Sequence, residues 1–407
     1  MRRKFLLVFN FIKNKLTIEY LLIISCIPFV LIVRVLKPII HIRFGIIHTS
    51  GLGDLISGCW DYEAKKFLKI HPKHAFDLFF VENNNKFICN NYLYKYFINF
   101  GNYKQSHFIY YLWRANLLFK DFSKFDCVQI NYFEWPARKA PILFSVNSKE
   151  KDFFKKELSS QAKINTDFVC FHSRDSDYKR KITPHLNQSL EEVSHQDYRN
   201  SKFADYNKSS IFLSKKGLKS IRIGKIANST ISNSFWDYSN STLRDDKNDV
   251  LICSLCKFWV MTTSGVAWIP QMLGKAGVAV NLIPFTPELL WHYPKGTVVL
   301  PKTILNKKGI PVPLEEITTQ QTVNHDEKKF IDKYFIREGL SFKDNSENEI
   351  FEAVKDYYES QIIKSKNIEL EIQYKFWKKL YPKLALDLTD RIIISPSYLR
   401  SNALMFK

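Results

Sequence analysis

The stretch Phe258-Trp259-Val260-Met261-Thr262-Thr263-Ser264-Gly265-Val266-Ala267-Trp268-Ile269-Pro270-Gln271-Met272-Leu273-Gly274 decides the fold. Phe258 to Met261 is a short run of bulky apolar residues and reads as a fully buried strand. Thr262 to Gly265 is a turn, and Val266 to Leu273 is predicted to be a helix. A strand that passes through a Gly-containing turn straight into a helix is the repeating joint of a parallel α/β sheet. Such a joint aims backbone N–H groups and the positive end of the helix dipole at one point, which suits a phosphate. Ser264 would add a hydroxyl donor, and Gly265 lets an anion approach the backbone. Ser and Thr cap helices everywhere, so the turn gains weight only from its surroundings.

The flanking sequence repeats the pattern. Asp246 to Cys256 reads as a helix with an acidic start, as the dipole prefers. Val278 to Leu282 reads as the next strand. Upstream, Thr166 to Phe171 is a short strand ending at His172-Ser173-Arg174-Asp175, and Ser220 to Ile223 is a strand carrying Arg222 at its end before Gly224. His195 to Tyr206 reads as helix and loop, and Ile211 to Leu213 as a short segment before a turn at Gly217. In a doubly wound sheet the carboxyl ends of strands line the ligand crevice. Arg is the side chain suited to bidentate phosphate contact. Each Arg alone is most simply structural. Together, His172, Arg174, Arg222, Thr263, Ser264 and Gly265 are predicted to grip a diphosphate.

The first half opens the same way. His41 to His48 reads as a strand, Thr49-Ser50-Gly51-Leu52-Gly53-Asp54 as a turn, Leu55 to Leu68 as a helix and Asp77 to Val81 as a second strand. Asn83 to Trp135 is rich in Tyr, Phe and Asn and has no clear period. Lys149 to Lys163 reads as a helix and linker. Asp344-Asn345-Ser346 is predicted to cap a helix running through Glu349 to Glu359. The expected organisation is a membrane-associating segment over 1–38, a Rossmann-like acceptor domain over 39–160, a Rossmann-like nucleotide-sugar domain over 161–310, and a helical region over 311–407.

Composition bounds the class. With 407 residues the chain exceeds one ordinary core, and 45% hydrophobic with 25% charged residues is a globular balance. The net charge of +20 calls for an anionic partner or reflects a Lys- and Asn-rich bias. No RNP, zinc-finger or helix-turn-helix pattern is present, so nucleic acid is not the expected partner. The seven cysteines are odd in number and irregularly spaced, which implies no disulfide framework. Cys253 and Cys256 form a lone C-x-x-C inside an apolar run and read as buried thiols. Arg2, Arg3, Lys4, Lys13 and Lys15 precede an uncharged run from Tyr20 to Val33 that Pro28 interrupts. That run is shorter than the roughly 20 residues of a spanning helix. A peripheral or monotopic anchor on an anionic membrane surface, at the cytoplasmic face of the inner membrane, is the expectation, with a single short transmembrane helix and a core helix of the first domain as the alternatives.

Asp246 through Pro284 resembles the donor-domain segment of heptosyltransferase-like GT-B glycosyltransferases, where Asp-Thr-Gly-x-x-His is followed by Gly-Lys-Pro. Here the corresponding residues are Thr263-Ser264-Gly265-Val266-Ala267-Trp268 and Gly274-Lys275-Ala276. The backbone cradle survives those changes, whereas any side-chain role of the family's Asp or His does not. Phe171 to Asp175 resembles the His-x-Arg strand end of GT-B fucosyltransferases. The whole set, His172, His195 to Ser201, Arg222, Asp237-Tyr238-Ser239, Thr263 to Gly265 and Ile394 to Ser397, is similar to a little-characterised bacterial family found with surface-carbohydrate genes.

The resemblance implies a GT-B fold, two Rossmann-like domains facing a cleft. It implies transfer of a sugar from a nucleotide-diphosphate donor to a lipid-linked or cell-surface glycan, inverting and metal-independent, with no cofactor. His48 to Asp54 resembles the first turn of heptosyltransferases, which gives Asp54 the role of general base. Gly51, Gly53, Asp237 and Tyr238 are then expected to line the cleft. A rival sign is Asp175-Ser176-Asp177, a D-x-D of the metal-holding GT-A type, but it lies mid-chain beside Arg174. The alternatives are a sugar-nucleotide epimerase or hydrolase of the same fold, and a basic nucleic-acid-binding protein.

Overall fold

In the computed structural model the chain divides into two compact units, Met1–Tyr132 and Phe133–Lys407. The structure describes residues 18–72, 74–81, 87–98, 103–104, 106–119, 140–142, 144–178, 180–181, 197–225, 231–317, 335–364 and 369–402. The basic cluster from Arg2 to Lys15, His195 and Gln196, and residues 120–135 of the aromatic stretch that ends at Trp135 lie outside the described residues.

Unit one runs α1 (Ile18–Val35), β1 (His41–Ile47), α2 (Leu52–Phe67), β2 (Ala75–Val81), α3 (Asn91–Ile98), β3 (Tyr103–Lys104) and α4 (His107–Leu117). Its three strands pair in parallel in the order β1-β2-β3. The predicted strand–turn–helix joint is present, with α2 beginning directly after Gly51. Leu55, Cys59 and Tyr62 recur at helical spacing and are the buried stripe of α2. On another part of the sheet, Ile23, Cys26 and Val30 of α1 pack with Phe44, Phe80 and the α4 residues Ile109, Leu112 and Ala115.

The uncharged run at the start is longer as a helix than its sequence suggests. Glu19 and Arg34 belong to α1, so the helix covers 18 residues and has a mean hydropathy of 2.2. Its length and composition therefore meet the requirement for crossing a membrane. The charges fit because Tyr110 donates to Glu19 Oε1 at 3.1 Å and Arg34 Nη2 donates to Asn116 Oδ1 at 2.8 Å.

One polar network lies inside unit one. Arg43 and Asp77 face each other across β1 and β2 and join through two hydrogen bonds of 2.6 Å. Tyr62 of α2 donates to the same carboxylate at 2.8 Å. Both charged side chains are under a tenth exposed. The network ties helix to sheet at the end of the strands away from the Gly51 turn.

Unit two continues with α5 (Ser148–Ala162), β4 (Phe168–His172), α6 (Asn207–Lys215), β5 (Lys219–Arg222), β6 (Phe235–Asp237), α7 (Asp246–Leu255), β7 (Phe258–Met261), α8 (Trp268–Met272), β8 (Val278–Leu282), α9 (Pro287–Leu290) and β9 (Thr297–Pro301). A hairpin of β10 (Thr303–Leu305) and β11 (Ser341–Lys343) follows. The chain then forms α10 (Glu347–Tyr357), α11 (Leu370–Leu380), α12 (Ala385–Arg391), β12 (Ile392–Ile394) and α13 (Pro396–Ser401). The main sheet has seven parallel strands in the order β12-β9-β8-β7-β4-β5-β6. Counted from β4, that is the doubly wound order 3-2-1-4-5-6 with β12 added at one edge. Strands β7, β8 and β9 are buried at every position, as a parallel sheet covered on both faces requires.

Several boundaries differ from those read in the sequence. Residues 148–162, read as the helix and linker that enter the second half and set before its boundary at 161, form a helix that packs on α7 within unit two, where Lys247 meets Glu150 at 2.9 Å. Residues 207–215 form a full helix, because Ser209, Ser210 and Leu213 make a buried stripe. The region from 311 onward belongs to the same layered unit. β12 pairs with β9, and α10 packs against β8 and β9 behind a capping box of Ser346 and Glu349.

Replacing Arg43 by Met leaves the Asp77 carboxylate buried without its cation. The expected loss is about 3–5 kcal/mol, with much of it recovered in an Arg43→Met/Asp77→Leu double variant. Urea denaturation of the two variants measures this as a shift of midpoint at constant slope.

Candidate functional site

The strand order reverses between β4 and β7. From β4 the chain goes on to β5 on one side, and from β7 it goes on to β8 on the other. The loops leaving the two carboxyl ends therefore diverge and open a crevice between them. Thr262 stitches these ends together. Its N–H donates to the His172 carbonyl at 3.2 Å, and its hydroxyl accepts from the Arg174 N–H at 2.8 Å. Tyr206 donates to the same His172 carbonyl at 3.1 Å.

Arg174 is buried at this reversal point and bonds through Nη1 to Asn200 Oδ1. Asn200 sits on a short loop with Asp197, Tyr198 and Arg199, and its amide donates to Ser176 Oγ at 2.6 Å. Ser176 in turn donates to Asp197 at 2.6 Å. Arg199 Nη2 reaches the Thr263 carbonyl at 3.4 Å. Thus the Arg174 backbone ties the end of β4 to that of β7, and the Arg199 guanidinium reaches the turn after β7.

Lys302 fixes that loop from below. Its ammonium, 2% exposed, donates to the carbonyls of Tyr198 at 2.9 Å and Asn200 at 2.7 Å and to Asp344 at 2.6 Å. An ammonium has three N–H bonds, and all three are engaged. Burial pushes its pKa down, and the Asp344 carboxylate pulls it back up. Asn345, the next residue, exchanges hydrogen bonds of 2.6 Å with Asn281 of β8. The segment Asp344-Asn345-Ser346 therefore locks the loop, the sheet and the start of α10 in three successive residues.

The predicted grip is only partly assembled as drawn from sequence. Thr263 and Ser264 are buried and Gly265 half-buried, directly after β7. However, the helix begins at Trp268 rather than Val266, and it has five residues. Val266 and Ala267 belong to a tight turn in which Ser264 Oγ accepts from the Ala267 N–H at 3.4 Å. The backbone turn remains, and the contribution expected from a helix dipole is correspondingly small. Arg222 is not a freely presented cation. Its guanidinium pairs with Asp237 at 3.0 and 2.5 Å, lies over the Phe203 ring and is 3% exposed. Because Arg222 and Asp237 face each other in register, the pair ties β5 to β6 and is electrically balanced. Tyr238 is fully buried and donates to Asp249 at 3.0 Å, and burial holds its hydroxyl protonated. It is a core residue rather than a cleft residue.

His172 is present at the β4 end with a specific polarity. Its Nδ1 lies 3.0 Å from the Ile223 carbonyl, which can only accept. The ring is therefore protonated at Nδ1, and the neutral form offers Nε2 as an acceptor. Burial lowers its pKa, outweighing the support from the Ile223 carbonyl and Asp175, and Arg174 lowers it further. Neutral His172 suits a ligand hydroxyl better than a phosphate oxygen. Gly224 backs the ring. Its φ of +146° lies where side chains are disfavoured, and an added Cβ would stand 3.3 Å from Nδ1.

In unit one, Asp54 occupies the exposed first turn of α2, with Gly53 just before it. A Cβ on Gly51 would fall 2.3 Å from Asp54 Oδ2, so the missing side chain at Gly51 leaves the space that this carboxylate occupies. Among the described residues no group of three or more His, Cys, Asp or Glu side chains is arranged to hold a metal. Asp175 accepts from the Asp177 N–H in a local turn.

Sequence reading missed Thr262, Arg199, Asn200 and Lys302 as members of the site. Lys302 carried a usable signal, since it is a lone cation directly after the apolar strand Thr297–Pro301. Arg199 and Asn200 stood in the family-like set from His195 to Ser201, but only the fold brings their loop back to β4 and gives them a place in the site.

The unfolded chain binds protons at His172 more readily than the folded one. Its contribution to stability is complete above about pH 6.5 and is lost as pH falls toward the lowered folded value. His172→Asn keeps a donor near the position of Nδ1. Thermal melts between about pH 7 and 5 should show a flatter acid slope for that variant than for the parent.

No family model and no curated protein matches this chain. Among solved structures, it is similar to the E. coli ADP-heptose LPS heptosyltransferase II, with 12% identity, a TM-score of 0.40, and 73% of this chain and 99% of that one covered. It is also similar to a glycosyl transferase family 9 protein from Veillonella parvula, with 10% identity, a TM-score of 0.39, and 78% and 97% covered. A third is the iron-containing dodecameric glycosyltransferase TibC from enterotoxigenic E. coli, with 9% identity, a TM-score of 0.34, and 58% and 59% covered. These overlaps are loose, and the reading of the site rests on its own residues.

Proposed function

We propose that this chain is a glycosyltransferase that moves a sugar from a nucleotide-diphosphate donor to a lipid-linked or cell-surface glycan acceptor. One observation carries the reading. At the strand reversal between β4 and β7, the Arg199 guanidinium reaches the turn Thr263-Ser264-Gly265, and Arg174, bonded to Asn200 of the same loop, is held at the strand ends by its N–H bond to Thr262. Cations and backbone N–H groups at such a crevice match the charge that develops on a leaving diphosphate. His172 supplies a neutral acceptor beside them, suited to a sugar or ribose hydroxyl. The Arg222–Asp237 pair is assigned to shaping the crevice wall.

In the proposed reaction an acceptor hydroxyl attacks the anomeric carbon and loses its proton to Asp54. The bond between that carbon and the diphosphate oxygen breaks, and the diphosphate leaves with the bonding electrons. The transfer inverts the anomeric centre. The charge on the leaving group is met by Arg174, Arg199 and the turn, so the proposal requires neither a metal nor a cofactor.

A panel of GDP, UDP, ADP, CMP and dTDP, read by thermal shift, tests the donor site. One nucleotide is expected to raise the melting temperature, and Arg174→Ala to abolish that rise. No shift with any of the nucleotides, or an undiminished shift in the variant, overturns the assignment. The role of Asp54 is tested separately by steady-state kinetics with the stabilising nucleotide's sugar. Asp54→Ala should lower kcat by about 10²–10⁴ while leaving the donor KM nearly unchanged, as loss of a general base does. Near-full turnover in Asp54→Ala removes it from that role.

A further inference from the structure

Helix α1 is an apolar helix with most of its surface left uncovered. Only 17% of its length is buried. The buried stripe is Ile23, Cys26 and Val30, which enter the core of unit one. The rest of the helix exposes Leu21, Ile24, Phe29, Ile32 and Val35 at between 51% and 78%. Val35 leads into Ile39, which is 81% exposed. Beside it, α4 adds Phe108, whose ring meets Phe29 edge-on at 5.6 Å, and the residue after α4, Leu118, is 59% exposed. A continuous apolar face of this kind is unusual on a soluble surface and marks a contact site.

The charged side chains at the two ends of α1 are tied to α4. Glu19 accepts from Tyr110, and Arg34 donates to Asn116 and stacks over Phe119 at 4.4 Å. Ser25 donates to the Leu22 carbonyl of its own helix at 2.8 Å. What the described residues turn outward between these ends is mostly hydrocarbon. The sequence just before α1, residues 1–17, holds Arg2, Arg3, Lys4, Lys13 and Lys15 and no acidic residue. An apolar face next to a cationic segment is complementary to an anionic bilayer surface, where the cations meet headgroups and the side chains enter the acyl boundary. A second copy of this basic chain would bring like charges together.

Length alone permits α1 to cross a bilayer, since its 18 residues span about 27 Å. Crossing would pull Ile23, Cys26 and Val30 off the core and expose Phe44, Phe80 and Leu112 to water. We infer that α1, with the adjoining edge of α4, is a monotopic docking face that lies in the plane of an anionic phospholipid bilayer while still packed on unit one. The inference does not depend on which reaction unit two performs.

The test uses the full chain and vesicles of phosphatidylcholine with or without phosphatidylglycerol, read by flotation. The parent is expected to bind the anionic vesicles more tightly. Leu21→Glu/Ile32→Glu should weaken binding by about tenfold or more, with an unchanged melting temperature because both positions are exposed. The control Ile211→Glu, an exposed apolar residue of α6, should bind like the parent. Equal binding by the double variant and the parent overturns the inference. So does a double variant that keeps vesicle binding but changes from dimer to monomer in sedimentation, which would assign the face to a second copy. An epitope placed before residue 1 separates lying from crossing. In inside-out membrane vesicles external protease should remove it, and protection of the epitope would mean that α1 spans.

Discussion

The architecture of unit two depends on one constraint, that a parallel sheet must be covered on both faces while its strand ends stay open. Strands β7, β8 and β9 bury every residue, so nothing along their length can face a ligand. Polar chemistry is left to the carboxyl ends. Where β4 and β7 lie side by side, the following segments turn away from each other, and the backbone between them needs partners. Thr262 supplies these by bonding both to the His172 carbonyl and to the Arg174 N–H. That stitch decides where Arg174 stands.

Around the reversal the cations differ in what they are committed to. Arg222 is neutralised by Asp237 and sealed against Phe203, so it serves the sheet. Lys302 is fully engaged by two carbonyls and Asp344, so it serves the loop that carries Arg199 and Asn200. Arg174 bonds to the Asn200 side-chain amide and Arg199 to the Thr263 carbonyl, so both belong to the strand ends at the reversal. The C-terminal segment takes part in this, because Asp344 and Asn345 reach the loop and the sheet from far along the chain.

Unit one applies the same economy to a different solvent. Its core cations and acids are paired inside, as Arg43 and Asp77 show, and the polar ends of α1 are tied to α4. The consequence is a largely apolar outer face on α1 among the described residues. The reading of that face as a bilayer contact joins a proposed lipid-linked acceptor to a place where it would be met.

The sequence by itself determined the elements and the class of the fold. Phe258 to Met261, Val278 to Leu282 and the strand before Arg174 were legible because buried parallel strands are short, continuous apolar runs broken by turn residues. The cap at Ser346 and the turn before Asp54 were legible because each is a local arrangement of a few residues. The length of α1 was hidden, since Glu19 and Arg34 look like boundaries until Tyr110 and Asn116 are seen to receive them. The role of Arg222 was hidden for the same reason, because its partner lies on the neighbouring strand. Tertiary structure alone decided the strand order, the meeting of Arg199 with Thr263, and the clamp at Lys302. Local preference fixes what a segment is, whereas the charge state and exposure of a side chain depend on groups that only packing brings within reach.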